Sequence, residues 1–184
     1  MGNHDLNTAC EFLHQGKVIA YPTEAVWGFG CDPFCEEAVG RILTIKQRPV
    51  EKGLILVAAD LLQISDLVED LPAAQLAILE SSWPGPTTWL IPDLNQRFPD
   101  WIKGTHDSIA IRVSAHPLVH ALCTQFGKPV VSTSANSAGE EEIRSRLILE
   151  EHFADKIDYI VEGELGDRGT PSQIKDLVTG QVLR

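Results

Sequence analysis

An alternation of short, uniformly apolar runs with longer segments that are apolar at helical spacing restricts the fold of this chain more than any other feature. Residues 6–15 place Leu6, Ala9, Cys10 and Leu13 on one helical face, with Gly16 as the stop. The run 18–21 is apolar and ends at Pro22, the pattern of a strand leading into a turn, and 27–31 reads as a second strand. Segment 36–47 sets Ala38, Val39, Ile42 and Leu43 on one face, with acids at its start and Lys46 near its end, matching the helix macrodipole. Pro49 forbids continuation and biases Arg48 away from the helical region, so Arg48 lies where helix becomes loop.

The rhythm continues to the end of the sequence. The run 54–58 is uniformly apolar, as in a strand covered on both faces. Segments 61–68 and 72–82 read as helices, the second with proline in its first turn. A rigid turn at 83–86 leads into strand 87–91. Strand 108–113 alternates, with Ile109, Ile111 and Val113 on one face and Ser108, Ala110 and Arg112 on the other. Helix 117–126 ends at Gly127, and 130–132 is the next strand. A helix over 143–153, a strand over 159–161 and a hairpin over 173–183 turning at Thr179-Gly180 complete the pattern. Alternating strands and helices indicate an α/β fold. The hairpin and the close pair of strands around Pro22 make its sheet mixed. With 184 residues and no linker, repeat or low-complexity stretch, residues 1–184 are expected to form one domain.

Several function classes are disfavoured. No apolar run approaches the roughly 20 residues that span a bilayer, so no membrane association is expected. Met1-Gly2-Asn3-His4-Asp5 lacks the basic and apolar regions of a signal peptide, which makes the cytoplasm the expected location. Cys10, Cys31, Cys35 and Cys123 form no C-x-x-C pair and read as buried free thiols. His116 and His120 are four apart, yet His-Pro-Leu-Val-His lacks the glutamate of a zinc protease motif, so no metal ligand set is expected there. The net charge of −11 opposes general nucleic-acid binding, which draws on cation–phosphate contacts. Lys46, Arg48, Lys52, Arg112, Arg144 and Arg184 can still build a local positive cavity on this acidic body and concentrate small anions.

Nucleotide loops of the usual kind are missing. There is no G-x-x-x-x-G-K-[ST], and Gly28-x-Gly30 is not followed by the third glycine of a dinucleotide fingerprint. If ATP binds, side chains must hold much of its phosphate. Lys46-Gln47-Arg48-Pro49 supplies a point charge and a guanidinium fork, and Ser132-Thr133-Ser134-Ala135-Asn136 supplies hydroxyls and an amide.

Six segments in order carry a resemblance. They are Y-P-T-E-A-V-W-G-F-G-C from Tyr21, K-Q-R-P from Lys46, W-P-G-P-T-T from Trp83, D-S-I-A-I-R from Asp107, K-P-V-V-S-T-S-A-N from Lys128, and P-S-Q-I near the end. By these motifs the chain resembles the YrdC-type threonylcarbamoyl-AMP synthases in their short single-domain bacterial form. The resemblance implies a twisted, open α/β sheet flanked by helices, with a large concave, positively charged cavity. It implies a nucleotidyltransferase that joins L-threonine, bicarbonate and ATP into threonylcarbamoyl-adenylate, releases pyrophosphate and supplies a transferase acting on tRNA. ATP would be a substrate, accompanied by Mg2+, with no protein-bound metal.

Residue by residue, the resemblance implies that Lys46 and Arg48 grip the triphosphate and serve catalysis. Ser108, Ser134 and Asn136 would hold nucleotide groups, with Arg144 and Arg184 as further nucleotide contacts. Arg112 would pair with the threonine carboxylate, and Thr23, Ser132 and Ser172 would bind threonine and its carbamate. The chain departs from longer relatives, with Lys52-Gly53 in place of Asn-Pro and Val57 in place of a histidine that contacts threonine. The competing class is an RNA-binding or ribosome-maturation module using the same concave face without chemistry. The acidic balance and the lack of aromatic-plus-basic stacking patches oppose it, leaving at most weak RNA binding. A carbamoyl-transfer domain is a third reading, but such modules are embedded in larger chains.

Overall fold

The computed structural model describes residues 3–170 and 172–184; Met1, Gly2 and Pro171, the first residue of the P-S-Q-I motif, lie outside the described residues. Helix α1 (Asn3–His14) leads to strands β1 (Ile19–Pro22) and β2 (Trp27–Gly30), followed by α2 (Glu36–Lys46), β3 (Ile55–Ala58), α3 (Ser65–Val68), α4 (Ala73–Ser82) and β4 (Thr87–Pro92). Then come α5 (Asp100–Lys103), β5 (Ser108–Val113), α6 (Pro117–Phe126), β6 (Val130–Val131), β7 (Thr133–Ser134), α7 (Arg146–Phe153), β8 (Tyr159–Ile160) and β9 (Gln173–Asp176).

The fold is α/β, with mixed sheets flanked by helices. Its strands divide between two sheets, ordered β7-β2-β1-β8 and β6-β3-β5-β4-β9. In the first, β1 runs antiparallel to β2 and parallel to β8, and β2 runs antiparallel to β7. In the second, β3 and β5 are parallel, β6 and β4 run antiparallel to them, and β9 lies parallel to β4. The expected strand 130–132 is interrupted. Residues β6 pair in one sheet and β7 in the other, with Ser132 between them donating its N–H to Ile55 O at 2.8 Å.

Burial follows strand periodicity. On β1, Ala20 joins one apolar cluster with Phe29, Ile42 and Leu56, while Ile19 and Tyr21 join a second with Leu13, Val57 and Leu122. Strands β1 and β3 are therefore covered on both faces, as uniformly apolar runs require. Helices α1 and α6 pack on each other and on β1, and α6 also packs on β3. Strand β5 is different: Ile109, Ile111 and Val113 face the core, and Ser108, Ala110 and Arg112 line a cavity. One strand thus anchors the fold on one face and presents chemistry on the other.

Local departures from the sequence expectation have physical causes. Residues 62–64 form a single 3-10 turn before the short α3, so 61–68 is not one helix. Helix α7 begins at Arg146 behind an extended Ser145, and 143–145 stay outside it, with Trp27 N–H claiming the Ile143 carbonyl at 2.8 Å. The short α5 was not expected. The terminal hairpin is present: Lys175 bridges Val182 across the turn.

Candidate active site

A cavity of about 530 Å3 is lined from both sheets. Helix α2 delivers its cations by the local logic of its end. Gln47 takes a left-handed conformation (φ 51°), Arg48 N–H bonds Leu43 O at 2.9 Å, and Pro49 turns the chain away. Lys46, on the last helical turn, is 5% exposed. Its ammonium donates to the carbonyls of Ser134 (2.5 Å) and Asn136 (2.9 Å) and to Asn136 Oδ1 (3.0 Å), tying α2 to the segment after β7. Ser134 Oγ donates to the same Oδ1 at 2.7 Å, and Asn136 Nδ2 donates to Glu140 O at 2.7 Å. Burial, then the charge of Arg48, lowers the Lys46 pKa to about 8 against a smaller upward pull from Glu142.

Arg48 is held by its own loop. Nε and Nη2 both donate to Gly53 O, at 3.1 and 2.9 Å. Burial and then the nearby Arg184 guanidinium lower its pKa. Arg184 folds back so that Nη2 meets Ser172 O at 3.1 Å, while the Ser172 hydroxyl shares a 2.8 Å hydrogen bond with Thr88. Like charges held this close are costly without a counter-anion, so the corner attracts one.

Arg112, on β5, lines the same cavity and is 7% exposed. It pairs through Nη1 with Glu24 Oε1, which also accepts from Ser114 Oγ at 2.7 Å. Burial raises the Glu24 pKa, but the Arg112 charge and the hydrogen bonds from Arg112 and Ser114 overcome it, and the carboxyl titrates below its ordinary range. Thr23 turns its hydroxyl onto Val26 O at 2.7 Å, closing the turn between β1 and β2.

Of the residues singled out in the sequence, Thr23, Lys46, Arg48, Ser108, Arg112 and Ser132 line this cavity, together with Ser134, Asn136, Ser172 and Arg184. Arg144 is not in the lining; its Nη2 donates to Gly169 O at 2.8 Å. Arg168, absent from the nucleotide set, does line it. Lys52 and Lys103 bring the basic residues of the lining to seven (with Lys46, Arg48, Arg112, Arg168 and Arg184) beside the acids Glu24 and Glu142, although the Lys103 ammonium is turned to Asp93 at 3.4 Å and Asp100 at 3.7 Å. Sequence reading passed over Glu24 and Ser114. The available signal for Glu24 was a carboxylate between the Pro22 turn and the apolar Ala25-Val26-Trp27, a place with little access to water. Among the described residues, no group of three or more His, Cys, Asp or Glu gathers to hold a metal ion. Cys10, Cys31 and Cys123 are buried free thiols, and burial raises Cys10 to about 11 and Cys123 to about 12.

Residues 11–184 match the Sua5/YciO/YrdC family model, whose description reads "Telomere recombination". The chain belongs to that family. Within it, the chain is 56% identical over 176 residues to the threonylcarbamoyl-AMP synthase of Pseudomonas aeruginosa (strain UCBPP-PA14), covering 96% of this chain and 94% of that protein. It is 51% identical over 184 residues to the threonylcarbamoyl-AMP synthase of Stutzerimonas stutzeri (strain A1501), covering 100% and 98%. Among solved structures, P. abyssi Sua5 complexed with L-threonine superposes with a TM-score of 0.89 at 32% identity, over 97% of this chain and 53% of that one. The Sua5/YciO/YrdC fold is therefore present here nearly end to end.

Proposed function

We propose that this chain makes threonylcarbamoyl-adenylate from L-threonine, bicarbonate and ATP, releases pyrophosphate, and so provides the threonylcarbamoyl group for tRNA modification. The observation that carries the reading is a juxtaposition in one cavity. A group of neighbouring cations, Lys46, Arg48 and Arg184, lines the same cavity as the buried Arg112 on β5. One region suits a polyphosphate and the other a carboxylate.

The chemistry asks for little covalent participation by the protein. The threonine amine captures bicarbonate or carbon dioxide as a carbamate. A carbamate oxygen then attacks the α-phosphorus, and the bond to pyrophosphate breaks in line. Carbamate, triphosphate and threonine carboxylate are all anions, so the task is to hold like charges together. Lys46 and Arg48 grip the triphosphate, Ser108, Ser134, Asn136 and Arg184 hold nucleotide groups, and Arg112 takes the threonine carboxylate. Thr23, Ser132 and Ser172 hydrogen-bond threonine and its carbamate. The lining is rich in cations that suit phosphate and poor in carboxylates that suit a divalent ion, so magnesium in this reading enters with the triphosphate. Bicarbonate as the carbon source and a separate downstream transferase belong to the same proposal.

The test is incubation with ATP, threonine and labelled bicarbonate. Pyrophosphate release that needs all three, with label in an adenylate, is the expected result. Tight RNA binding without turnover would support the binding-module reading instead, which no feature of the cavity favours.

A further inference from the structure

Five of the seven basic residues that line the cavity commit their charged ends to protein acceptors. Lys46 has three oxygens, Arg48 has Gly53 O, Arg112 has Glu24, Arg184 has Ser172 O, and Lys103 has Asp93 and Asp100. The ammonium of Lys52 and the guanidinium of Arg168 have no hydrogen-bond or ion-pair partner among the described residues. Lys52 belongs with the phosphate cations, because its carbonyl accepts from Arg48 Nη2 at 3.3 Å in the same short loop. Arg168 arrives from elsewhere in the fold.

It sits on a strap, residues 162–170, that follows β8 and contains neither helix nor strand. Main-chain contacts lay this strap on the turn between β1 and β2. Gly166 N–H donates to Thr23 O at 2.9 Å, and Arg168 N–H donates to Glu24 O at 3.0 Å. The approach requires glycine, since a Cβ on Gly166 would meet Glu24 O at 2.9 Å and Glu24 Cα at 3.0 Å. Arg144 Nη2 fixes the next residue through Gly169 O at 2.8 Å. The backbone of Arg168 is thus pinned one residue from Thr23 and four before Ser172, while its exposed side chain stays uncommitted.

We propose that Arg168 is the cation that binds bicarbonate and then the carbamate made from it. This rests on the reading given above, in which the triphosphate has Lys46, Arg48 and Arg184 and the threonine carboxylate has Arg112. The carbamate there has only the hydroxyls of Thr23, Ser132 and Ser172. Hydroxyls orient an anion but do not offset its charge, and an anion drawn out of water needs a counter-charge. Bicarbonate and carbamate both present two oxygens on a planar carbon, a shape that a guanidinium fork meets with paired hydrogen bonds. The neutral amine attacks the bicarbonate carbon and a C–N bond forms. The C–OH bond breaks, and the hydroxyl leaves as water with a proton from the nitrogen. One negative charge enters and one remains on the carbamate, so a single cation suits both species. As a carbamate oxygen bonds to the α-phosphorus, that charge leaves it. Arg168 therefore serves capture rather than transfer, and its loss falls on the KM for bicarbonate.

Because main-chain groups hold the strap, Arg168→Ala leaves those ties intact. The experiment follows pyrophosphate release by wild type and variant as bicarbonate is varied in carbon-dioxide-free buffer with ATP and threonine saturating. Calorimetry measures threonine binding without bicarbonate. Arg168→Ala should raise the KM for bicarbonate about tenfold or more, the scale of a charge-assisted hydrogen bond, while the KM for ATP and the Kd for threonine hold. Arg168→Lys, which keeps the charge without the fork, should recover part of the loss. An unchanged KM for bicarbonate would overturn the assignment. Parallel weakening of ATP, threonine and bicarbonate would overturn it too, by reducing Arg168 to a prop for the strap. Pyrophosphate release by wild type that needs no bicarbonate would remove the reading of the site and this assignment with it. A bicarbonate-dependent wild type matched by Arg168→Ala would remove the assignment alone.

Discussion

Arg48 leaves α2 one residue past a left-handed cap, with its guanidinium pinned on Gly53 O and its charge raised in energy by Arg184. That arrangement is preorganised for an anion, and its value is greatest when charge builds on the transferring phosphoryl group. Arg48→Ala should lose about 2–4 kcal/mol of transition-state stabilisation, read from kcat/KM, while the thermal midpoint moves little. Turnover at the wild-type rate in a folded variant would sink the assignment. Lys46 adds a pH dependence whose sign follows from its lowered pKa. Below about 8 the ammonium is present, and above that it becomes an amine and no longer attracts phosphate. The kcat/KM for ATP, which reports the free enzyme, should therefore fall as pH rises through about 8, well before an ordinary lysine at about 10.4 would titrate. A profile that stays flat up to that ordinary value would exclude the Lys46 ammonium from ATP capture.

Elements approach closely where glycines allow it. Gly30 on β2 has room for no side chain: a Cβ there would meet Tyr21 Cε1 at 2.6 Å and both Val130 Cγ1 and Val131 O at 3.0 Å. Tyr21 cannot yield easily, since it is fully buried and its hydroxyl donates to Val131 O at 3.1 Å. Gly30→Ala should cost about 1–3 kcal/mol, or roughly 2–4 °C of melting temperature per kcal/mol, as overpacking does; an unchanged melting curve would show that β2 and β6 separate freely. Local pattern made most elements legible, because their periodicities are set by residues a few positions apart. Strand β5 was readable down to which face carries Arg112, and Pro49 revealed how α2 ends. Sheet membership was not readable: whether 130–134 forms one strand or two depends on partners at Leu56, Val57, Gly28 and Phe29, remote in sequence. Arg144 shows the same limit, since its direction depends on Ile143 being claimed by Trp27 before α7 begins. Glu24 was hidden for another reason. Its partners lie about ninety positions away, at Arg112 and Ser114, and a lone glutamate in a turn is ordinarily solvated.

At the scale of the molecule, a chain of net charge −11 holds a cavity to which seven basic and two acidic residues contribute. Basic side chains outside it are partly neutralised: Arg146 pairs with Glu150 at 2.7 Å and with Glu162 at 2.5 Å, and Arg41 pairs with Asp158 at 2.6 Å. Small anions are drawn inward while a polyanion meets a repulsive body, so turnover should proceed without tRNA, and tRNA affinity should be weak and fall steeply with salt. Titrating tRNA at two ionic strengths checks this; submicromolar binding that survives physiological salt would break it. The crossing at Ser132, where the backbone passes from the five-stranded sheet to the four-stranded one within two residues, has a mechanical consequence. Ser134 and Asn136 hang from one side of that crossing and Arg112 from the other, so a molecule gripped by all three becomes a further brace between two plates that already meet along this edge through the Tyr21 hydroxyl on Val131 O and the packing of Gly30 against Val130 and Val131. Amide protons of residues 130–134 should then exchange with solvent markedly more slowly when nucleotide and threonine are both present than with either alone, making the stiffness of this seam something the substrates themselves supply.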